Sequence, residues 1–301
     1  MVAYRRPGRR ASRTVGRRTD VATIPSMGPR VFGIPAARAG TVAVIRRGPS
    51  GCSHLSRWEP ELEIFQPGSW LHGTIYPQRC DLSPDGRWFV SFALKGNARW
   101  DVGATYLAIS RLPWLTALAA GRTCGTWTRG LHFAERRTWE VDDPPVGDLA
   151  HVRRRYGLAI TRATTFAVER RRGWFESADT PARSPDDAWD ERRAQQVTME
   201  KPRPGDPATH LTVSGRYAAF RDMEPAWGRP RYAIVEGSRS APLPGVQWAD
   251  WSTTGRLLVA TDAGSLQVRE APFDVASIVW ACDLAALRPA PSRPPSEAVH
   301  W

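Results

Sequence analysis

Six histidines and four cysteines are the residues of this 301-residue chain with the most chemical potential, and their spacing assigns them none. His54, His72, His132, His151, His210 and His300 never fall at metal-ligand distance along the chain from one another. No H-E-x-x-H, G-x-S-x-G elbow, G-x-x-x-x-G-K-[ST] phosphate loop or EF-hand spacing occurs, so the zinc-peptidase, serine-hydrolase, P-loop and calcium signatures are absent. Cys52, Cys80, Cys124 and Cys282 are scattered, with no C-x-x-C pair, and read as ordinary thiols rather than as a disulfide frame or metal set. No catalytic residue, metal ligand or cofactor is expected from these patterns. A hydrolase or lyase site would have to be assembled from distant segments around a common channel, and that is the main alternative to a binding role.

Charge is the second resource. The formal net charge is +12, and it is concentrated in two places. One is the stretch 1–20, with Arg5, Arg6, Arg9, Arg10, Arg13, Arg17 and Arg18 against Asp20. The other is 151–173, with Arg153, Arg154, Arg155, Arg162, Arg170, Arg171 and Arg172 against Glu169; the rest of the chain is balanced. Clustered arginines neutralise a polyanion with release of its counterions, and Tyr156 and Trp174 could stack on bases. The two Arg triplets, 153–155 and 170–172, are therefore candidate nucleic-acid contacts. The plainer readings are a disordered basic arm and a solvated hairpin tip, where charge discourages edge pairing. Only two lysines accompany the arginines, so composition alone accounts for part of the charge. Nucleic-acid binding ranks third among the functional readings.

The elements that would position these groups come from three ten-residue segments in one register: Asp81-Leu82-Ser83-Pro84-Asp85-Gly86-Arg87-Trp88-Phe89-Val90, then His210 to Ala219, and Asp250-Trp251-Ser252-Thr253-Thr254-Gly255-Arg256-Leu257-Leu258-Val259. Each reads as strand, tight turn, strand. Proline presets the backbone at the second turn position, a hydroxyl at the first bonds back to the chain, and glycine takes the left-handed conformation. Gly86, Gly215 and Gly255 fit a period of about 43 residues, the interval of a β-propeller blade. Projected onward, the period meets Gly173, Gly130 and Gly40. The apolar runs after each turn, such as Trp88-Phe89-Val90, suit strands buried on both faces. In this register His210 stands where the repeat has aspartate and makes the same turn-facing hydrogen bond, and His132 is a strand residue.

D-x-S-P-D-G-R followed by apolar residues resembles the repeat of Tol-type propellers and, more distantly, of WD-repeat propellers. The segment from Asp81 matches the Tol-type version nearly residue for residue, whereas no Gly-His and Trp-Asp pair closes a blade in the WD manner. The resemblance implies fold rather than activity. The expected fold is all-β: a propeller of about six, alternatively seven, four-stranded blades, with a short helical insertion. Ring closure is expected to pair Thr41 to Ile45 with a late strand such as Ser277 to Ala281. Residues 1–36 are expected to form the disordered Arg-rich arm, 37–288 the propeller and 289–301 a Pro-rich tail. Pro113 to Ala120 followed by Gly121 reads as the helix, and 178–209 as a long loop.

The register also separates two faces. The D-x-S-P-D-G turns lie on one, and the loops after each second strand open on the other, which by family resemblance carries ligands. Those loops supply Lys95, Asn97 and Arg99, then Asp222, Glu224 and Trp227, then Asp262, as the candidate binding face; Asp222, Glu224 and Asp262 would make an acidic patch there. Targeting signals are lacking: the paired arginines near the start are followed by no apolar segment, and no run is long enough for a membrane span. The expectation is a cytoplasmic bacterial propeller scaffold that binds a protein or peptide partner, without enzymatic activity or cofactor.

Overall fold

The computed structural model describes residues 28–48, 51–95, 103–123, 125, 130–133, 139–141, 146–147, 166–178, 195–218, 226–270, 273–274 and 277–300. Among these residues the strands form five sheets, and every pairing is antiparallel. The first sheet is the meander β1 (Arg30–Pro35), β2 (Val42–Arg47), β3 (Cys52–Glu59) and β4 (Ile64–His72). The second contains β5 (Thr74–Ile75), β6 (Asp81–Leu82), β7 (Trp88–Leu94), β8 (Thr105–Arg111) and β9 (Ala119–Arg122). A third pairs β10 (Leu131–Phe133) with β11 (Trp139–Val141), and β12 (Val146–Gly147) returns to the outer edge of β9. The fourth runs through β13 (Phe175–Glu176), β14 (Gln195–Arg203), β15 (Asp206–Ala218), β16 (Ala226–Glu236) and β17 (Arg239–Pro242). The fifth is the meander β18 (Val246–Trp251), β19 (Leu257–Thr261), β20 (Ser265–Arg269) and β21 (Ile278–Asp283). The described residues are thus mostly β and consistent with a propeller-like fold, with one short α-helix, Ala167–Arg171, and single 3-10 turns at Pro60–Leu62, Pro77–Arg79 and Ser296–Ala298.

Continuous apolar strands explain the stacking of these sheets. Val42 to Ile45 in β2, Phe89 to Ala93 in β7 and Leu257 to Ala260 in β19 are buried at every position, so both faces of each strand meet protein. Ile34, Ala43, Ile45 and Leu55 of the first sheet pack on Ile75, Leu82 and Phe89 of the second. Phe92, Leu107 and Ile109 then meet Leu131 and Phe133 of the third. Met199, Leu211 and Ile234 of the fourth sheet share a core with Ala249, Trp251 and Val259 of the fifth. The fifth in turn packs on the first through Val31, Val44 and Trp58 against Trp248, Leu258 and Leu266. Each fully buried large side chain contributes about 1.5–3 kcal/mol. At the last of these junctions Gly33 lies under the Trp248 ring, so close that a Cβ would sit 2.4 Å from Trp248 Cζ2.

Several expectations are corrected. The strand β2 is paired on one edge by β1 and on the other by β3, so it has no edge left for a late strand, and β21 pairs only with β20. The first and fifth sheets meet through side-chain packing instead. The first strand begins at Arg30, inside the stretch 1–36 assigned to the arm. Pro113 to Ala120 is not a helix. The chain turns at Leu112 and Pro113, and Ala119 to Arg122 pair with β8, because completing the sheet outweighs local helix propensity. Within 178–209, β14 and the start of β15 are strands, joined by a turn at Pro204 and Gly205.

The register itself is correct at Gly86 and Gly255, both in left-handed turns (φ 72° and 83°), and at Gly40, in the β1–β2 connection. It fails at Gly215. Leu211, Val213 and Gly215 are buried with intermediate positions between them, and Gly215 pairs with Val197 within one long strand. The ladder to β16 slips between Ser214 and Arg216, so this glycine marks a bulge rather than a turn. Consequently His210 faces no turn; its ring meets the Phe175 ring edge-on at 6.4 Å. Gly173 follows the short helix rather than sitting in an inter-strand turn, Gly130 immediately precedes β10, and His132 lies in β10 as expected. The stretch 289–295 forms neither helix nor strand, yet it lies along the body: Ser292 Oγ donates to Gly68 O at 3.2 Å and Arg111 Nε to His300 O at 3.1 Å. No helix among the described residues is long and apolar enough to cross a membrane.

Candidate functional site

The two turns that keep the repeat are built alike. Ser83 Oγ accepts the backbone N–H of Arg87 at 3.1 Å, and Ser252 Oγ accepts that of Arg256 at 3.0 Å. The N–H of Gly86 and of Gly255 each returns to the serine carbonyl, at 2.8 and 3.1 Å. In both copies the aspartate caps the next residue: Asp81 Oδ1 accepts Leu82 N at 2.8 Å, and Asp250 Oδ1 accepts Trp251 N at 2.7 Å. Local hydrogen bonds of this kind follow from the sequence.

Each aspartate also reaches beyond its own turn. Asp81, buried, pairs with the Arg172 guanidinium and accepts Phe133 N at 2.9 Å, tying the second sheet to the third. Asp250, equally buried, accepts Lys201 Nζ at 2.6 Å, tying the fifth sheet to the fourth. Lys201 is held further by the Trp174 ring, 6.0 Å below its ammonium, and Trp251 Nε1 donates to Lys201 O at 3.0 Å. A buried carboxylate needs such a partner, since an isolated buried charge costs several kcal/mol.

Several connections between strands of different sheets touch one another. Arg38 N donates to Pro84 O at 2.9 Å, and Gly86 lies so close to Thr41 that a Cβ would be 2.7 Å from Thr41 Cβ. Arg203 Nε donates to Gly255 O at 2.7 Å. Glu61, between β3 and β4, accepts Thr253 Oγ1 at 3.1 Å, Thr254 N at 3.0 Å and Arg256 Nη2 at 2.5 Å. Burial alone would raise the Glu61 carboxyl, but the hydrogen bonds from Ser252, Arg256 and Thr254 outweigh it and hold the group at about 2. It is a fixed anion at neutral pH, not a proton shuttle.

The β1–β2 connection, the segment at Glu61 and the turn at Ser252 line a cavity of about 190 Å³. Pro35, Ala37, Pro204 and Trp251 give it apolar walls, Ser252 and Thr253 give it hydroxyls, and Glu61, Arg172 and Lys201 are its ionisable groups. Each of the three is already in an ion pair, with Arg256, Asp81 and Asp250. No group of three or more His, Cys, Asp or Glu side chains able to hold a metal occurs among the described residues.

Of the face proposed from sequence, Lys95 and Asp262 are described and Asn97, Arg99, Asp222 and Glu224 lie outside the described residues, as does the side chain of Trp227. Both described residues lie away from the repeat turns. Lys95 N donates to Ala104 O, and its Cα lies beside Gly73; Asp262 N donates to Gly245 O, and its carbonyl lies against Gly28. They follow strands of different sheets, β7 and β19, and neither lines the turn-face cavity. Arg153, Arg154 and Arg155 lie outside the described residues. Arg170 is exposed and paired with Glu176 at 2.9 Å, Arg171 ends the short helix half-buried, and Arg172 turns inward to Asp81. The second triplet therefore does not present three cations to solvent. The cations opposite the repeat aspartates were missed in the sequence, which carries no signal for a partner so far along the chain.

No family model matches the chain, and no curated protein matches it. Among solved structures it is similar to an uncharacterized protein from Listeria monocytogenes EGD-e, at 11% identity over 84% of this chain and 53% of that one, with a TM-score of 0.24. It is also similar to the C-terminal WD40 domain of Sif2, at 7% identity over 82% of this chain and 59% of that one, again with a TM-score of 0.24. The chain spans little more than half the length of either, and likenesses this slight carry no argument about function.

Proposed function

We propose that the chain is a non-enzymatic β-propeller scaffold of the Tol-type repeat, and that its turn face holds a protein or peptide partner by taking one partner side chain into the cavity between Glu61, Arg172 and Lys201. The blade number belongs to the same proposal: six, with seven as the alternative. One observation carries the binding reading: connections from distant parts of the chain meet around a cavity whose ionisable groups are all tied in pairs. Catalysis by general acid or base needs a group near its working pH and within reach of substrate. A tied group supplies orientation and polarity instead. Size argues in the same direction, because small-molecule and cofactor sites usually enclose roughly 300–1,000 Å³. At about 190 Å³ the cavity suits a single large side chain with its flanking backbone.

A peptide-display library selected against the full chain, with affinities then measured by fluorescence anisotropy, tests the reading. Selected peptides should share one anchoring residue, and Ala37→Trp or Thr253→Arg, which fill the cavity, should weaken them about tenfold or more without lowering the melting temperature, as loss of an anchor does. Peptides that bind these variants as well as the parent protein, or a selection that yields no shared anchor, would overturn it. Hydrolysis or elimination of the bound ligands would restore the enzyme reading.

A further inference from the structure

A second cavity, of about 360 Å³, opens on the other face, where Gly48 and Gly51 connect β2 to β3. It is lined by Arg30, Arg47, Cys52, Ser53 and Thr74 together with glycines 28, 48, 51 and 73. Its volume falls within the range of small-molecule sites. Gly48 and Gly51 adopt φ of 84° and 67°, and among the described residues no atom lies within 4 Å of where their Cβ atoms would be.

Arg30 and Arg47 are direct partners across the β1–β2 ladder. Like charges at opposed positions cost free energy. Among the described residues neither guanidinium is within ion-pairing distance of a carboxylate. Arg47 rests instead on the Tyr76 ring, with its guanidinium carbon 5.6 Å from the centroid, and both burial and the neighbouring Arg30 push its pKa down. The adjacent Arg46 is already engaged, because it donates to Leu284 O at 2.7 Å and to Gly48 O at 2.9 Å. Among the described residues, two opposed cations without a carboxylate partner therefore line one cavity. Against the same wall, Cys52 Sγ lies 3.2 Å from His72 Nδ1.

We infer that this cavity binds a small ligand through its phosphoryl group, held between Arg30 and Arg47 and seated over Cys52. A phosphoryl group carries close to two negative charges at neutral pH, which matches the two cations, and its oxygens fit the guanidinium fork. The site is separate from the partner-binding cavity, so the two readings stand or fall independently.

Cys52 is a built-in reporter. In the full chain, inorganic phosphate should slow iodoacetamide alkylation of Cys52, followed by peptide mass spectrometry, about tenfold relative to chloride at equal ionic strength, while acetate protects far less. Arg47→Gln should raise the half-protecting phosphate concentration about tenfold or more, as expected for loss of a charge-assisted hydrogen bond. Arg239→Gln, an equal charge change at an exposed residue over Phe273, should leave it unchanged. Should Arg47→Gln fail to fold, Arg30→Gln, at an exposed strand end, takes its place. Calorimetry with phosphate supplies a readout independent of thiol access. Absence of binding heat, equal protection by acetate, or equal weakening by Arg239→Gln would overturn the inference.

Discussion

Lys201 Nζ donates to Asp250 Oδ1 over 2.6 Å, while the same oxygen accepts the N–H of Trp251 at 2.7 Å. One carboxylate thus shapes the turn of its own sheet and fastens that sheet to its neighbour. Asp81 does the same with Leu82 in its own sheet and Phe133 in the third, and it pairs with Arg172 besides.

Asp250→Ala should cost about 3–5 kcal/mol of unfolding free energy, because it leaves the Lys201 ammonium without its anion in a mostly buried site. Removing both charges, as Lys201→Met with Asp250→Ala, should cost less than the two single changes added together. Urea unfolding of the four proteins measures that coupling; strict additivity would mean the pair contributes nothing jointly.

Gly33→Ala should destabilise by about 1–3 kcal/mol, since the new methyl collides with the Trp248 ring where the first and fifth sheets pack. Gly237→Ala is the comparison: its φ of 56° carries backbone strain, but the space around it is open. Its cost should stay near 1 kcal/mol. A melting temperature for Gly33→Ala equal to the parent's would mean that the two sheets do not approach so closely.

Acid should weaken the fold in two windows. Burial, aided by Arg46 and opposed by a backbone hydrogen bond at Gly68, lowers His54 from 6.5 to about 4. A group with a depressed folded pKa contributes its stability above the unfolded value and loses it as pH falls through the folded one. His54 therefore removes up to about 3 kcal/mol between pH 6.5 and 4. Glu61, lowered from 4.5 to about 2, acts by the same sign between those values. Urea midpoints measured across pH should flatten in the upper window for His54→Gln and in the lower one for Glu61→Gln.

Pro204→Ala should be mild, but Gly205→Ala should destabilise by about 1 kcal/mol, because Gly205 holds φ of 80° at the turn from β14 to β15. Thermal melts of the two variants check this, and equal shifts would mean the turn does not require a left-handed residue.

How much of this was legible in the chain depends on the range of the interactions involved. Ser83, Gly86 and Arg87, like Ser252, Gly255 and Arg256, bond within a few residues, so type and spacing suffice to locate both turns. The continuous apolar runs of β7 and β19 likewise announced strands covered on both faces. Gly215 misled because glycine suits both a turn and a bulge, and only the two neighbouring strands decide between them. The segment from Pro113 misled because an edge of β8 was waiting to be paired.

Residue types and their local spacing were thus enough for the mostly-β character and the two surviving repeat turns. Packing between sheets settled which cations meet Asp81 and Asp250, 91 and 49 residues away, and that Glu61 binds a turn 193 residues further on. Both cavities likewise exist only in the folded chain. A turn is closed by its own backbone, whereas a buried charge or a cavity is defined by whichever sheet packs against it.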